Sequence, residues 1–349
     1  MEKNQLLKLY WKNQSFKIIL LILLGWLGSL VTFLIPLSLG AFFDVRYQSL
    51  TNRGKLLKMF GLHLETLPAF FTFFFLVVFL KMVINFIERK SVAAAAEKYI
   101  HNLNYKLFQT QMNWPREIFN GKPYGNYLLR YSSDMLNIRN LIVRGLHGSI
   151  KDALFLITGL LILFLLNQYL TLLIIGMIFV LIPLVYWLDK RQHPYMEERE
   201  NRKSLFLSYV AQSFSRFNQI KEKSEEEETV QKFKKKLKKL FKAKQSFDLL
   251  ESIRMAIIPG IGYLMVGVIL WQASLQNTAI VSAGELLVYV LILLSLLGAL
   301  RRLMKASSVW QKGLHSLNKK QLLFSREDQI KTAHPHNPPS HSLDKVIPK

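Results

Sequence analysis

Two charged residues lie inside long apolar stretches of the chain, where an ionisable side chain usually has a function. Lys81 falls in the run from 67 to 87, and Glu285 falls in the run from 280 to 300. In a membrane, such residues commonly line the pathway of a polar solute. Lys81 is also near enough to one end of its run to reach the headgroups, and Glu285 is near an end that water reaches. We therefore predict both as candidate pathway residues, with membrane anchoring and helix capping left open as alternatives.

The sequence offers no constellation for catalysis or metal binding. The phosphate-binding pattern G-x-x-x-x-G-K-[ST] does not occur. Gly260, Gly262 and Gly267 form a glycine series, but it lies in an apolar run without lysine, where close helix packing is the better interpretation. The chain has no cysteine, which excludes disulfides and thiolate metal sites. We expect no enzyme activity and no directly bound cofactor or metal.

The apolar residues are gathered into blocks of membrane-spanning length. They make up 51% of the chain, and about 20 helical residues cross the hydrocarbon of a bilayer. Six blocks approach that length, at about 18–43, 67–87, 153–167, 169–188, 256–274 and 280–300. The sequence therefore predicts six transmembrane helices, with a tight turn at Asn167-Gln168 between the third and the fourth.

The basic residues indicate the orientation of the chain. The net charge is +23, and 41 of the 46 Lys and Arg residues lie in the two termini and in the segments 88–151 and 189–254. Cytoplasmic segments of membrane proteins carry this excess. We predict a multi-pass protein of the cell (inner) membrane with both termini cytoplasmic, and no nucleic-acid partner.

The two long polar segments have the pattern of helices. In the segment 88–151, apolar residues recur at helical spacing from Ala96 to Leu107, and the pattern stops at Trp114-Pro115. The segment 189–254 follows the same plan. We expect both to extend about 40 Å from the membrane and return. The residues 330–349 are rich in proline and are expected to be disordered.

A cassette in the first polar segment carries a family pattern. Gly125 is followed by Arg130, Ser133 and Asp134, and the pair Leu107-Phe108 precedes them. This order resembles the first intracellular loop of ABC exporters of the type I fold. Further matches are Asn167 to Leu172 in the outer turn, Ile220-Lys221, Glu226 and Phe233 in the segment after the second coupling helix, and Gly284-Glu285-Leu286 at the start of the sixth span. Departures from the family pattern are Asn104, Gln212 and Arg216.

The resemblance implies an all-α polytopic fold, with residues 1–329 forming an exporter-type transmembrane domain. It also implies two coupling regions that seat in nucleotide-binding domains. The residues carried over to these regions are Asn120, Gly121, Tyr124, Gly125, Arg130, Asp134, Gln212, Arg216, Gln219 and Lys221.

The function implied by the resemblance is that of a permease subunit of an ATP-driven exporter. ATP and Mg are expected on a separate partner, an ATP-binding subunit. The other expected partners are membrane lipids and a second exporter half, in a homodimer or a heterodimer. The alternative is a non-transporting membrane anchor or regulatory scaffold that retains the exporter fold, and a polytopic membrane enzyme is a third, weaker option.

Overall fold

The computed structural model describes residues 5–47, 66–114, 130–275 and 283–333, and every regular element in these ranges is a helix. The elements are α1 (Gln5–Tyr47), α2 (Leu67–Met112), α3 (Ser133–Asn140), the π-helix π1 (Leu141–Gly148), α4 (Ser149–Leu166), α5 (Gln168–Ser215), α6 (Phe217–Glu222), α7 (Glu226–Leu275) and α8 (Ala283–Ala333). Because α3, π1 and α4 follow one another without interruption, they form one helical rod from Ser133 to Leu166.

Six helical stretches in the described part of the chain are long and apolar enough to cross a membrane. They belong to α1, α2, the rod from α3 to α4, α5, α7 and α8, and their mean hydropathy lies between 2.0 and 2.7. The prediction of an all-α chain with six transmembrane helices is therefore confirmed.

The third and fourth spans are separated by a single residue. Asn167 has extended backbone angles, with φ −153° and ψ 107°, and its side-chain oxygen accepts the backbone N–H of Leu170 at 3.0 Å. Asparagine is a favoured residue at this position because its side chain satisfies an N–H group that the first helical turn leaves unpaired. Thr171 donates to the Asn167 carbonyl at 2.7 Å. This bonding fixes the turn between α4 and α5.

Four helices extend far beyond the hydrocarbon. α2, α5, α7 and α8 are 46, 48, 50 and 51 residues long, whereas about 20 residues suffice to cross. We call residues 88–112 of α2 together with residues 130–148 the first arm. Residues 189–254, which join α5, α6 and α7, are the second arm. The first arm's descending helix alone spans roughly 37 Å at 1.5 Å per residue.

The first arm and the spans have different hydrophobic cores. One core joins α1, α2, α3, π1 and α8, and its fully enclosed side chains are Leu103, Leu107, Ile138, Leu141 and Leu317. A second core joins α1, α4, α5, α7 and α8 within the predicted spans. There the rings of Phe33 and Phe155 stack with centroids 4.4 Å apart. α8 contributes to both cores and therefore connects the membrane part to the arm part.

Several glycines allow close packing within the spans, among them Gly159 and Gly262. A Cβ at Gly159 would collide with Leu296 and Phe33, and a Cβ at Gly262 would lie 2.8 Å from a Leu297 methyl group. The prediction that the series from Gly260 to Gly267 packs closely is correct for Gly262 alone. Gly260 and Gly267 have open space where a Cβ would be, because they lie on the other sides of α7.

The C-terminal helix is longer than predicted. α8 continues to Ala333, so residues 330–333 of the segment expected to be disordered are helical. The composition of these four residues is compatible with a helix, and the first proline of the tail is Pro335, which disfavours helical angles at residue 334. The rest of that segment, 334–349, lies outside the described residues.

Candidate functional site

The first arm returns to the membrane along α8, and two predicted site residues form the contact. The backbone carbonyl of Arg130 accepts a hydrogen bond from Lys320 Nζ at 2.5 Å. Asp134 lies in the first turn of α3, and its Oδ1 accepts from Ser316 Oγ at 3.3 Å. The Arg130 guanidinium also lies 6.0 Å from the centroid of the Trp114 ring. Arg130 and Asp134 thus brace the arm against α8.

Four other predicted residues of the first coupling region cannot be placed. Asn120, Gly121, Tyr124 and Gly125 belong to residues 115–129, which are outside the described residues. On the near side of this segment, the Tyr131 hydroxyl donates to Gln111 Oε1 at 2.7 Å. This bond ties the two limbs of the first arm together where the described chain resumes.

The tip of the second arm brings together all four residues predicted there. α5 ends at Ser215, the short helix α6 follows, and α7 begins at Glu226. Arg216 donates to the side chain of Gln219 at 3.1 Å, and Lys221 pairs with Glu226 at 2.9 Å. The backbone N–H of Arg216 bonds the carbonyl of Gln212 at 3.1 Å. The predicted second coupling region is therefore one compact turn.

The end of α6 has a strained residue that the sequence did not reveal. Ser224 has φ 54°, in the left-handed region that normally favours glycine. Its N–H bonds the Lys221 carbonyl at 3.2 Å, and the next N–H, of Glu225, bonds the Ile220 carbonyl at 3.0 Å. These two bonds form the motif that commonly ends a helix. The motif reverses the chain sharply, so α7 can return beside α5.

The tip also carries an open groove of about 140 Å³ between its three helices. The lining residues are Tyr209, Gln212, Ser213, Arg216, Gln219, Ile220, Lys223, Glu225, Thr229 and Lys232. Beside this polar groove, Phe214 is 73% exposed and Phe217 is 53% exposed. A polar groove flanked by exposed aromatic rings is suited to docking against another macromolecule. No group of three or more metal-ligating side chains is found among the described residues.

The two charged residues predicted in the spans lie at different positions along their helices. Lys81 is partly exposed on α2, fourteen residues after the helix begins, and Glu285 lies in the first turn of α8. A carboxylate in a first helical turn is stabilised by the helix dipole. The position of Glu285 fits helix capping, and that of Lys81 fits either anchoring or a role in the pathway.

Buried ion pairs at the roots of the arms were missed by the sequence reasoning. Glu88 Oε1 lies 3.0 Å from His147 Nε2 and 2.7 Å from Lys151 Nζ. The pair Asp152 and Arg302 is bidentate, with nitrogen to oxygen distances from 2.7 to 3.1 Å. The one available signal was that these charged residues stand at the ends of the apolar runs. Their pairing could not be read from the sequence because the partners are 59 to 150 residues apart.

A third root cluster centres on Arg254, whose side chain is 1% exposed. Its guanidinium reaches Asp189 at 3.0 Å, Glu251 at 2.5 Å and the Met304 carbonyl at 3.4 Å. This guanidinium bonds acceptors on α5, α7 and α8 at once. It thereby fixes the base of the second arm on α8.

The two arms and α8 meet in a small cleft of about 10 Å³. Its lining residues are Asp134, Asn137, Met196, Glu197, Glu200, Lys312, His315, Ser316 and Lys319. Burial lowers the pKa of Lys312, and the nearby Arg199 guanidinium lowers it further, against the opposing effect of Glu200. Burial raises the pKa of Glu200, but the hydrogen bond from Arg199 and the surrounding cations outweigh it and hold that pKa below its usual range. Burial also lowers the pKa of His315.

The comparison with known families agrees with this architecture. The family model described as the ABC transporter transmembrane region matches residues 18–300, which include all six predicted spans and both arms. No curated protein sequence matches the chain. Since the family model covers more than half of the residues, and the six spans with two helical arms fit it, the chain belongs to the family of ABC transporter transmembrane regions.

Proposed function

We propose that this chain is the membrane-spanning permease subunit of an ATP-driven exporter and that it is driven by an ATPase on a separate chain. The observation that carries the proposal is the tip of the second arm. Its short helix α6 lies at the end of two long helices, with exposed aromatic rings beside a polar groove. Such a tip presents a compact contact surface far from the membrane. It has the features expected of a docking element for a soluble partner.

ATP and Mg belong on the partner in this proposal. The 349 residues contain no phosphate-binding loop of the type that cradles ATP and holds Mg. The arms would transmit the motion of the partner's nucleotide-binding domains as a rigid-body displacement of long helices. The spans would then alternate the access of a central pathway between the two faces of the membrane. Lys81 and Glu285 remain the candidate pathway residues of this proposal.

The proposed pathway is built between two halves, which are either two copies of this chain or this chain and a related one. Support comes from exposed apolar side chains on the second arm of the single chain. Leu205 on α5 and Val230 and Phe241 on α7 are 54%, 63% and 62% exposed. Large apolar side chains exposed on a helical surface favour contact with another chain.

Co-purification tests the docking site. The chain is expressed with candidate ATP-binding subunits from the same cell and purified in mild detergent. Phe217→Ser should reduce the bound ATPase at least fivefold, because it removes an exposed ring from the tip. Leu249→Ser is the matched control, since Leu249 is 65% exposed on the same arm but near the membrane. If Phe217→Ser retains full binding, or if no ATPase binds the unmodified chain, the proposed coupling is wrong.

The scaffold alternative rests on the departures Asn104, Gln212 and Arg216. Gln212 and Arg216 line the tip groove, where the family commonly has Glu and Gly. The two functions predict different ATPase responses. A permease subunit should change the rate of ATP hydrolysis of its bound partner, and Phe217→Ser should abolish that change. A scaffold should bind the ATPase without changing its rate of ATP hydrolysis.

A further inference from the structure

A lysine on α8 is completely enclosed where the first arm meets the helix. Lys320 has a relative exposure of 0%, and it lies about twenty residues beyond the predicted sixth span. A buried ammonium group is costly unless neighbouring groups accept its hydrogen bonds. The groups that surround Lys320 therefore show which contacts stabilise its buried position.

Among the described residues, the groups that hold Lys320 all belong to the first arm. Its Nζ donates to the Arg130 carbonyl at 2.5 Å and lies 3.9 Å from Asp134 Oδ2. It also lies 5.9 Å from the centroid of the Tyr131 ring. These three partners follow one another within five residues, at the point where the first arm begins its return to the membrane.

About one helical turn before Lys320, Ser316 also connects α8 to the first arm. Ser316 Oγ donates to Asp134 Oδ1 at 3.3 Å, and Asn137 Nδ2 donates to Ser316 Oγ at 3.1 Å. Leu317 is fully buried in the core shared by α8 and the first arm. Lys319, next to Lys320 in sequence, points elsewhere and is partly exposed. Lys320 is thus set apart from the many solvated lysines of the chain.

We propose that Lys320 is a positioning residue that holds the first arm on α8, so that a displacement of the arm is passed to the sixth span. α8 is one continuous helix from Ala283 to Ala333, and a helix transmits a displacement along its axis. Only the source of the force that displaces the arm depends on the proposed ATPase partner. The contact between Lys320 and the first arm is a property of this chain and can be measured on the chain alone.

A proton accompanies the opening of this junction. Burial lowers the pKa of Lys320 to about 7, against the raising effect of Asp134, while Arg130 and Lys319 lower it further. When the junction opens and the amine meets water, its pKa returns toward about 10.4. Opening therefore takes up a proton between these two values, so the closed junction becomes more stable as pH rises above 7 and the effect levels off below 7.

Two other titratable groups at the junction act outside that range. Burial raises the pKa of Tyr131 to about 12, so its linkage begins above its ordinary value of 10. Burial lowers the pKa of His315 from 6.5, so its linkage lies below that pH. Lys312, in the cleft beside Asp134, also has a pKa lowered by burial, so its linkage overlaps the range from pH 7 to pH 9. The part of the pH dependence that disappears in Lys320→Met is therefore the part that belongs to Lys320.

Hydrogen exchange of the α3 backbone amides tests the proposal on the purified chain in detergent. Exchange rates are corrected for the intrinsic effect of pH, and the protection factors of residues 133–140 are compared from pH 7 to pH 9. In the unmodified chain, the linkage of Lys320 should raise protection about fivefold from pH 7 to pH 8 and about ninefold from pH 8 to pH 9, about fiftyfold in all. Lys320→Met should remove this slope, and Lys319→Met is the matched control that should keep it.

A second variant distinguishes the effect of the titrating proton from a general loss of folding. Lys320→Arg keeps a charge that does not titrate in this range, so α3 should lose protection at every pH and lack the part of the slope that belongs to Lys320. A flat profile in the unmodified chain, or a slope that Lys320→Met leaves unchanged, would overturn the proposal. Loss of ATPase binding with the slope intact would instead contradict the proposed function and leave the hold of Lys320 standing.

Discussion

At the scale of single residues, the buried charges hold the helices together where they leave the membrane. Glu88, Asp152 and Arg254 are each less than 5% exposed, and each bonds an oppositely charged partner on another stretch of the chain. Removing the partners of such a buried charge leaves it unpaired, which costs far more than an exposed pair is worth. These residues therefore matter for the fold even though none of them does chemistry.

Arg254 provides the sharpest test of this view. Arg254→Ala should destabilise the protein by roughly 3 kcal/mol, because it strands two carboxylates and the Met304 carbonyl. Arg254→Lys should restore little, since one ammonium group cannot reach acceptors on three helices. Thermal unfolding in detergent measures both variants. Arg191→Ala is the control, because Arg191 is exposed and contacts the Trp187 ring alone among described residues. Equal unfolding temperatures for Arg254→Ala and the control would disprove the role.

At the scale of the elements, π1 of the first arm packs closely against α8. Gly313 on α8 lies so close to Leu141 that a Cβ would collide, and Trp310 Nε1 donates to the Gly145 carbonyl at 3.2 Å. A π-helical segment alters the regular backbone pairing, is rare and often occurs at functional sites. The indole of Trp310 stabilises the π-helix from outside, and the missing side chain of Gly313 allows α8 to approach it.

Replacing the indole should loosen this contact. Trp310→Phe keeps an aromatic ring but removes the donor to the Gly145 carbonyl, and we expect a loss of about 1–2 kcal/mol in stability. Hydrogen exchange should localise the effect to residues 141–148. Trp271→Phe is the matched control, because Trp271 is 66% exposed on α7. Unchanged exchange in π1 would show that the hydrogen bond contributes nothing there.

At the scale of the whole molecule, the two arms lie between the second and third spans and between the fourth and fifth spans, so a six-span topology puts both on the same side of the membrane. α8 then connects three parts, since it carries the sixth span, packs on the first arm and meets the root of the second arm at Arg254 and Lys312. Either arm can therefore act on the sixth span through α8. This shared helix offers a simple physical route for coupling motion at the arm tips to the membrane.

The orientation of the molecule can be tested directly, because the chain contains no cysteine and each introduced one is a unique label site. A membrane-impermeant maleimide should label Gln168→Cys, in the turn after the third span, on intact cells. It should label Lys235→Cys, on the second arm, only after the membrane is opened. Both residues are exposed or partly exposed, so access to each side chain is comparable once the reagent reaches it. Labelling of Lys235→Cys on intact cells would reverse the predicted orientation.

The sequence by itself determined the number of spans, the helical character of the arms and the family pattern around Arg130, Asp134 and Lys221. It could do so because the length of an apolar run reflects the thickness of the bilayer, and helical periodicity is a local property. The tertiary structure alone decided which charges pair, where the π-helix lies and that Lys320 is buried against the first arm. The physical reason is distance along the chain, since Arg302 meets Asp152 across 150 residues and Lys320 meets Arg130 across 190. Among many lysines of similar local context, only the packing of α8 on the first arm singles out the one that is enclosed.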